Sequence, residues 1–379
     1  MKIGIDLTWL KPQKSGGVEA YAKNLLDGFA KLEDENEYVL LLAKDNSEYL
    51  SEYFQDEKFT KIICRTKAFN VKRHLIWQNL FEYSVLKRNH IKFCFFPVYE
   101  MPIYSCRGIK NVTTIHDIQA YHFPKYFSKL ENIWFYFAWK RAVKCSNRIV
   151  AITNYTKQDI MDHFDHHNNV VAIHNPVTLD TMDIEDFDKL KEKYPIKENE
   201  YYYTVSSMYK HKNLITIIEA LEEIKRKNYF IPQKLVISGV GGPNKEKLME
   251  IIKEKNLEEN VIITNFVSDG ERNALIQNCN VFLFPSIFEG FGMPPIEAMQ
   301  LGARVITTRC TSLPEVTKGK CNYVVNALEK HDWIDEIQKA QYEKPEKISF
   351  DEYENTKIAR QYLDLFYQVN EESDRNGKK

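Results

Sequence analysis

The sequence predicts an α/β chain built as two similar halves, each a parallel sheet with helices on its faces. Three observations carry this. Short apolar runs recur along the chain, each separated from the next by helix-like or loop material, which is the alternation that builds parallel sheets. The pattern breaks once, at VTLDTMDIEDFDKLKEKYPIKENE, an acidic and lysine-rich stretch poor in apolar runs that reads as a linker and surface segment, and then restarts. A length of 379 residues exceeds one ordinary core and suits two domains.

The first half covers residues 1–175. KIGIDL at 2–7 is its first strand, KPQKSGG a loop, and VEAYAKNLLDGFAKL a helix with apolar residues at helical spacing. EYVLLLA is the second strand, and TKIIC, IKFCFF, NVTTIH, RIVAI and NVVAIH follow it. The second half covers 196–350, with strands at YYYTVSS, KLVISGV, NVIITNF, NVFLFPS, ARVITT and NYVV. DEYENTKIARQYLDLFYQVN, over 351–370, is an amphipathic helix, and EESDRNGKK reads as a frayed tail.

Composition narrows the function. Hydrophobic content of 44% and charged content of 28% are globular, and a net charge of −1 gives no global field toward nucleic acid. No apolar run reaches the roughly 18 residues that a membrane span needs. MKIGIDLTWL reads as a strand rather than a signal peptide. The cysteines, Cys64, Cys94, Cys106, Cys145, Cys279, Cys310 and Cys321, are odd in number and show no CxxC spacing. They read as reduced, mostly buried thiols of a cytoplasmic protein rather than as a metal site.

VFLFPSIFEGFGMPPIEAMQ, residues 281–300, carries the chemistry. VFLFPS is a buried strand ended by Pro285, PPIEAMQLG starts a helix, and Gly302 closes it. Glu289 and the GFG therefore lie in a loop leaving a strand's carboxyl end, where open α/β sheets bind ligands. Glycine lets backbone N–H groups approach a ligand, and the helix start that follows attracts phosphate. Glu297 is expected in the helix's first turn. A carboxylate repels phosphate, so it must serve something else: Glu297 a ribose diol, Glu289 a sugar ring. Together these make a nucleotide-sugar. Two other readings stay open. Glu297 merely favours the positive helix end while Glu289 is a solvated loop acid, or the two are a glycosidase acid and base. The glycosidase reading leaves the anion site between them unexplained.

EGFGMPPIE resembles the signature of the retaining GT-B glycosyltransferases of family 4. The likeness runs along nearly the whole chain: GGVEAYAKNLL at 16–26, TTIHDIQAYHFPKYF at 113–127, RIVAITNYTKQDI, KHKNL at 210–214 and TSLPEV at 311–316 are similar to that family's segments in the same order. The resemblance implies two facing Rossmann-like domains with a central cleft. The first, 1–175, would bind the acceptor and be joined by the helix over 351–370. The second, 196–350, would bind the nucleotide-sugar. It implies that Gly17 lets the backbone approach the donor diphosphate and acceptor, that His116 lies beside the reacting sugar carbon, and that Lys212 neutralises the donor phosphates. Glu289 would hold donor-sugar hydroxyls, Glu297 the ribose diol, and the N–H groups of Phe291, Gly292 and Met293 would face sugar and phosphate. Gly239, Gly241, Gly242 and Val267 would flank the base. Many relatives carry an arginine beside the phosphate-binding lysine. Here the sequence is SSMYKHKN, leaving Lys210 or His211 to supply the second positive group.

The implied activity is retaining hexosyl transfer from a nucleoside-diphosphate sugar, GDP-mannose as first choice, to a glycan or lipid-linked acceptor in surface polysaccharide synthesis such as O-antigen, lipopolysaccharide or capsule. No cofactor and no metal are expected, since Lys212 and the helix end supply the positive charge. Residues 69–93 and 131–144 mix Lys, Arg and His with Trp, Phe and Leu. They read either as core helices or as a peripheral contact with the inner leaflet of the cytoplasmic membrane. A same-fold sugar phosphorylase, a nucleotide-sugar epimerase and a non-catalytic binding protein are the competing functions.

Overall fold

The computed structural model describes residues 1–102, 108–165, 169–179, 183–239, 241–242, 244–344 and 346–376. They form two compact units, Met1–Thr178 with Glu352–Lys379, and Leu179–Asp351.

The first unit holds seven strands: β1 Lys2–Asp6, β2 Glu37–Leu42, β3 Phe59–Ile63, β4 Phe93–Phe96, β5 Lys110–Ile115, β6 Arg148–Ala151 and β7 Val170–Ala172. All pair in parallel, in the order β3-β2-β1-β4-β5-β6-β7. A parallel sheet is covered on both faces, so its strands need apolar residues on both sides. Ile3, Ile5, Leu40, Phe93 and Phe95 enter one core, and Val39, Leu41, Cys94 and Phe96 the other. From β1 the chain moves outward to β3 and then returns to β4. The loops after β1 and β4 therefore part to opposite sides and leave a crevice between them.

The carboxyl-terminal helix, Asn355–Asn376, belongs to this unit. Its Ile358, Ala359, Tyr362, Leu363, Phe366 and Val369 share a core with Tyr21, Leu25 and Phe29 of the helix Gly17–Lys31. The Tyr21 hydroxyl lies 2.8 Å from that of Tyr362 and 3.0 Å from that of Thr114. The expected frayed tail is corrected in part: the helix continues through Asn376, while 377–379 lie outside the described residues.

The second unit holds β8 Tyr202–Val205, β9 Leu235–Ser238, β10 Val261–Asn265, β11 Val281–Phe284, β12 Val305–Thr307 and β13 Asn322–Tyr323, again all parallel. Their order, β10-β9-β8-β11-β12-β13, repeats the plan, with the crevice between the loops after β8 and β11. The predicted linker is more than a linker. It contains the helix Phe187–Lys193, capped by Asp186 and anchored by buried Leu190. Ahead of it Glu185 N–H donates to Gly270 O at 3.1 Å, and Asn273 Nδ2 donates to Asp183 O at 3.0 Å. One buried residue in a short helix leaves no visible periodicity, which is why the sequence hides it. Residues 180–182 of that stretch lie outside the described ones.

Cys64, Cys94 and Cys279 are buried thiols, and Cys145, Cys310 and Cys321 are half-buried. Cys106 lies outside the described residues. Among the described residues no helix is long and apolar enough to cross a membrane.

Gly28 marks where the two helices of the first unit touch. A Cβ there would stand 2.4 Å from Asn355 O and 2.7 Å from Ala359 Cβ. Gly28→Ala is expected to cost about 1–3 kcal/mol by overpacking, read by urea denaturation. An unchanged midpoint would show that the helix contact is not needed for stability.

Candidate functional site

The site in the second unit grows from the loops after β8 and β11. After β8 the chain makes a short 3-10 turn, Lys210–Lys212, and Asn213 takes a left-handed φ of 55° before the helix Leu214–Lys227. Asparagine tolerates that conformation. Its side chain is tied down, accepting from Thr216 Oγ1 at 2.8 Å and donating to Ala327 O at 2.7 Å. This turn projects Lys212 toward the loop after β11. Lys212 Nζ donates to Glu289 Oε1 at 2.6 Å, with side chains only 18% and 12% exposed. The pair thus bridges the two strands at which the sheet order reverses.

After Glu289, Gly292 adopts φ 92° and the helix Met293–Gln300 begins. The positive φ is what requires glycine at 292; a Cβ there would also meet the Leu313 Cδ2 methyl at 2.7 Å, which would have to shift. Pro294 and Pro295 lack N–H groups. Gly292 and Met293 N–H donate no hydrogen bond among the described residues, so they are the free donors at this helix start. Glu297 corrects an expectation. It is the fifth helical residue, past the first turn, because the helix starts at Met293 ahead of the prolines. The helix-end explanation of this carboxylate therefore weakens, since that effect fades within the first turn. Instead, Glu297 Oε2 lies 4.0 Å from Arg272 Nη1, and Arg272 is also held by Asp269 at 3.2 Å.

A second segment pins the glutamate loop. Glu289 N–H donates to Thr311 Oγ1 at 2.9 Å, and Thr311 Oγ1 donates to Glu289 O at 3.0 Å. Ser312 Oγ reaches Glu289 O and Phe291 O, both at 2.9 Å. Thr311 has φ 51°, a strained value for a β-branched residue. Strain of this kind persists where the surroundings over-determine it, as at a site. Sequence reasoning missed Arg272, Thr311 and Ser312 as supports, since their roles exist only in three dimensions.

The remaining candidates divide. His211 is buried, and burial with neighbouring Lys212 pushes its imidazole down to about 3. It is neutral at physiological pH, which corrects its candidacy as the second positive group. Lys210 is exposed and lines a cavity of about 260 Å³ with Tyr209, Asn244 and Lys247. Gly239 and Gly242 are bare for the chain's own sake, since a Cβ would sit 2.3 Å from Ser206 O and 2.9 Å from Met208 O. Gly241 has room around it. Val267 is buried just beyond β10.

Gly17 and His116 stand in the first unit. Gly17 is the first residue of its helix. Gly16, with φ 56°, is the member of the pair that needs glycine. His116 follows β5, with Nε2 2.9 Å from Pro97 O and the Tyr21 ring edge-on at 4.7 Å. Burial pushes its imidazole down to about 4. Neutral His116 therefore donates through Nε2 and keeps Nδ1 as an acceptor.

These are two Rossmann-like units, one with a cation, a carboxylate and free amides gathered at the point where its strand order reverses. Two family models match them in turn, "Glycosyltransferase Family 4" over residues 15–181 and "Glycosyl transferases group 1" over residues 186–356. The chain is 25% identical over 360 residues to the O-antigen chain mannosyltransferase RfbU of Salmonella typhimurium, covering 94% of this chain and 95% of that protein. It is 30% identical over 258 residues to the capsular polysaccharide biosynthesis glycosyltransferase CapM of Staphylococcus aureus, covering 66% and 61%. The Anabaena HepE structure in complex with UDP and glucose shares the fold, with a TM-score of 0.68 at 15% identity and coverage of 100% and 99%. The chain belongs to the family 4 glycosyltransferases and has the GT-B fold.

Thr311→Ala removes both bonds to Glu289. It is expected to lower stability by about 1–2 kcal/mol by leaving polar groups of the loop unpaired, measured by urea unfolding. No change would mean that the loop is held by Ser312 alone.

Proposed function

We propose that the protein is a retaining hexosyltransferase that takes its hexose from a nucleoside-diphosphate sugar, GDP-mannose first, and passes it to a glycan or lipid-linked acceptor. The observation that carries this is the Lys212–Glu289 pair at 2.6 Å beside the free N–H groups of Gly292 and Met293. Without donor the two charges satisfy one another. With donor, the diphosphate takes the Lys212 ammonium and the two amides, and the Glu289 carboxylate turns to the sugar hydroxyls. Charge that develops on the leaving diphosphate is then met by groups already in place. Lys212 and the helix start supply this charge without a metal ion. Glu297, steadied by Arg272, accepts from the ribose diol. Neutral His116 offers Nδ1 to a donor-sugar hydroxyl in the same reading. Retention follows if the leaving phosphate takes the acceptor's proton on the face where it departs.

GDP-mannose is favoured by the likeness to RfbU, a mannosyltransferase. A uridine donor is the second reading, favoured by the HepE neighbour with UDP. Thermal unfolding with GDP, UDP, dTDP and ADP, each with EDTA, decides between them. A diphosphate at about 100 times its Kd adds about 2.7 kcal/mol of stability. GDP is expected to raise Tm most, and Glu297→Ala to lose that rise. A rise with UDP alone replaces the donor, and no rise with any overturns the donor site. Release of nucleoside diphosphate that depends on an acceptor separates the transferase from a phosphorylase or an epimerase.

The reading extends to a peripheral membrane contact. The helix Val71–Trp77, a π-turn Gln78–Glu82 and the helix Tyr83–Arg88 bury Trp77, Gln78 and Leu86. They expose Val71, Ile76, Leu80 and Phe81, and Phe69 just ahead of them is exposed too. The helix Lys129–Cys145 buries Trp139 and exposes Leu130, Ile133 and Phe137. Both segments line one small cavity through Asn79, Trp134 and Phe137, so they are neighbours. Exposed apolar residues interleaved with Lys72, Arg73 and Lys87 suit an anionic bilayer surface. Replacing these three by alanine is expected to weaken binding to phosphatidylglycerol vesicles by about 1 kcal/mol per charge. Unchanged sedimentation with vesicles would contradict the membrane contact alone.

A further inference from the structure

One carboxylate holds the loop that leads from β1 into the helix Gly17–Lys31. The loop carries two residues at positive φ, Gln13 at 60° and Gly16 at 56°. Glycine takes such a value freely, but glutamine does so only where its surroundings hold it. Glu19 supplies that hold. Its Oε1 accepts from Gln13 N–H at 2.9 Å and its Oε2 from Ser15 N–H at 3.2 Å. Ser15 closes the loop on itself, its Oγ accepting from Lys11 N–H at 3.0 Å and donating to Lys11 O at 3.2 Å. A third donor to Glu19 comes from beyond β2, where the Tyr49 hydroxyl stands 2.5 Å from Oε1. Glu19 is buried, and a buried carboxylate needs such donors.

The reach of Glu19 differs from what its position favours. Gly16 is the N-cap, so Glu19 is the third residue of the helix. A glutamate at that position commonly turns back to the N–H of the N-cap and closes a capping box. Two other helices of this chain do so, Lys129–Cys145 through Ser128 and Glu131, and Asp269–Gln277 through Ser268 and Glu271. Glu19 passes the N-cap and takes residues 13 and 15 instead. The glycine N-cap brings no side-chain oxygen to the helix start either. The N–H groups of Gly16, Gly17 and Val18 are therefore without an acceptor among the described residues, and Gly16 and Gly17 are exposed. An acid in the first turn is favoured by the helix dipole alone, but that effect asks for no contact with Gln13 or Ser15.

We propose that Glu19 is a positioning residue of the transfer reaction: it fixes the loop over 11–16 so that the amides of Gly16, Gly17 and Val18 stay free for the donor diphosphate. The assignment rests on the transferase reading and on the role that the resemblance gives Gly17. Both oxygens of Glu19 are spent on the protein, so it acts through the loop and touches no substrate. Its gain is preorganisation, because amides already in place need not be ordered when the donor binds.

Glycine-selective 15N labelling tests this on the full chain, whose 14 glycines are few enough to resolve singly. The probes are GDP, UDP, dTDP and ADP. At least one is expected to move the amide signals of Gly16 and Gly17, which are identified by their loss in Gly16→Ala and Gly17→Ala. Glu19→Gln keeps the size of the side chain but turns an NH2 group toward one of the two loop N–H groups. It should weaken that diphosphate roughly tenfold. When the variant is refilled at higher concentration, the Gly292 signal should move as in wild type while those of Gly16 and Gly17 move less. Glu19→Ala should show the same pattern more strongly, and Tyr49→Phe, which keeps both loop bonds, more weakly. Urea unfolding of the same samples confirms that they are folded, and a merely structural role leaves the affinity of folded protein unchanged. Should Glu19→Ala not fold, Glu19→Gln and Tyr49→Phe carry the test. Affinity indifferent to Glu19, or Gly16 and Gly17 signals that stay still in a wild type that binds diphosphate, overturns the assignment alone. A wild type that binds none of the four overturns the donor reading and this assignment with it.

Discussion

The ion pair between Lys212 and Glu289 is the contact around which the second unit's site is organised. It joins the loop after β8 to the loop after β11, the two strands at which the sheet reverses its order. Neither partner is well solvated, and a charge left alone at such a place is costly. The surrounding backbone is arranged to keep the two together. Asn213 turns the lysine in through a left-handed residue, and strained Thr311 holds the glutamate from behind. A ligand that offers both a phosphate and hydroxyls can replace the pair without stranding either charge. That is the physical sense in which the site fits a nucleotide-sugar.

The first unit solves the same problem with different chemistry. Its reversal point lies between β1 and β4, and there the residues are acceptors and a relay rather than a cation and a carboxylate. Asp6 orients Thr8, Thr8 orients His74, and the far nitrogen of His74 is left without a donor. One topological rule thus yields two crevices, each with polar groups that the protein does not fully satisfy by itself.

Much of this was legible in the sequence. The strands read clearly because both faces of a parallel sheet are covered, so VFLF or FCFF shows no polar alternation. Glu289 and the GFG read clearly because strand, glycine and proline signals are local. What failed was either faint or non-local. The helix Phe187–Lys193 buries one side chain and looks like a linker. Glu297 was misplaced by one residue, which carries it just past the first turn, because the prolines follow Met293 rather than begin the helix. The choice between Lys210 and His211 needed burial, which only the fold supplies. Arg272, Thr311 and the His74 relay are tertiary facts with no local signature.

The central claim is that Lys212 and Glu289 act on one donor molecule as a unit. A double-mutant cycle on single-turnover donor cleavage measures this, using Lys212→Met, Glu289→Gln and the double variant, with wild type as the fourth corner. Residues in contact couple by about 0.5–3 kcal/mol, whereas independent ones add within about 0.5 kcal/mol. The account predicts that each single variant is slow and that the double is much less impaired than the product of the two. Losses that simply multiply would contradict it, and the pair would then be a structural tie rather than the heart of the site.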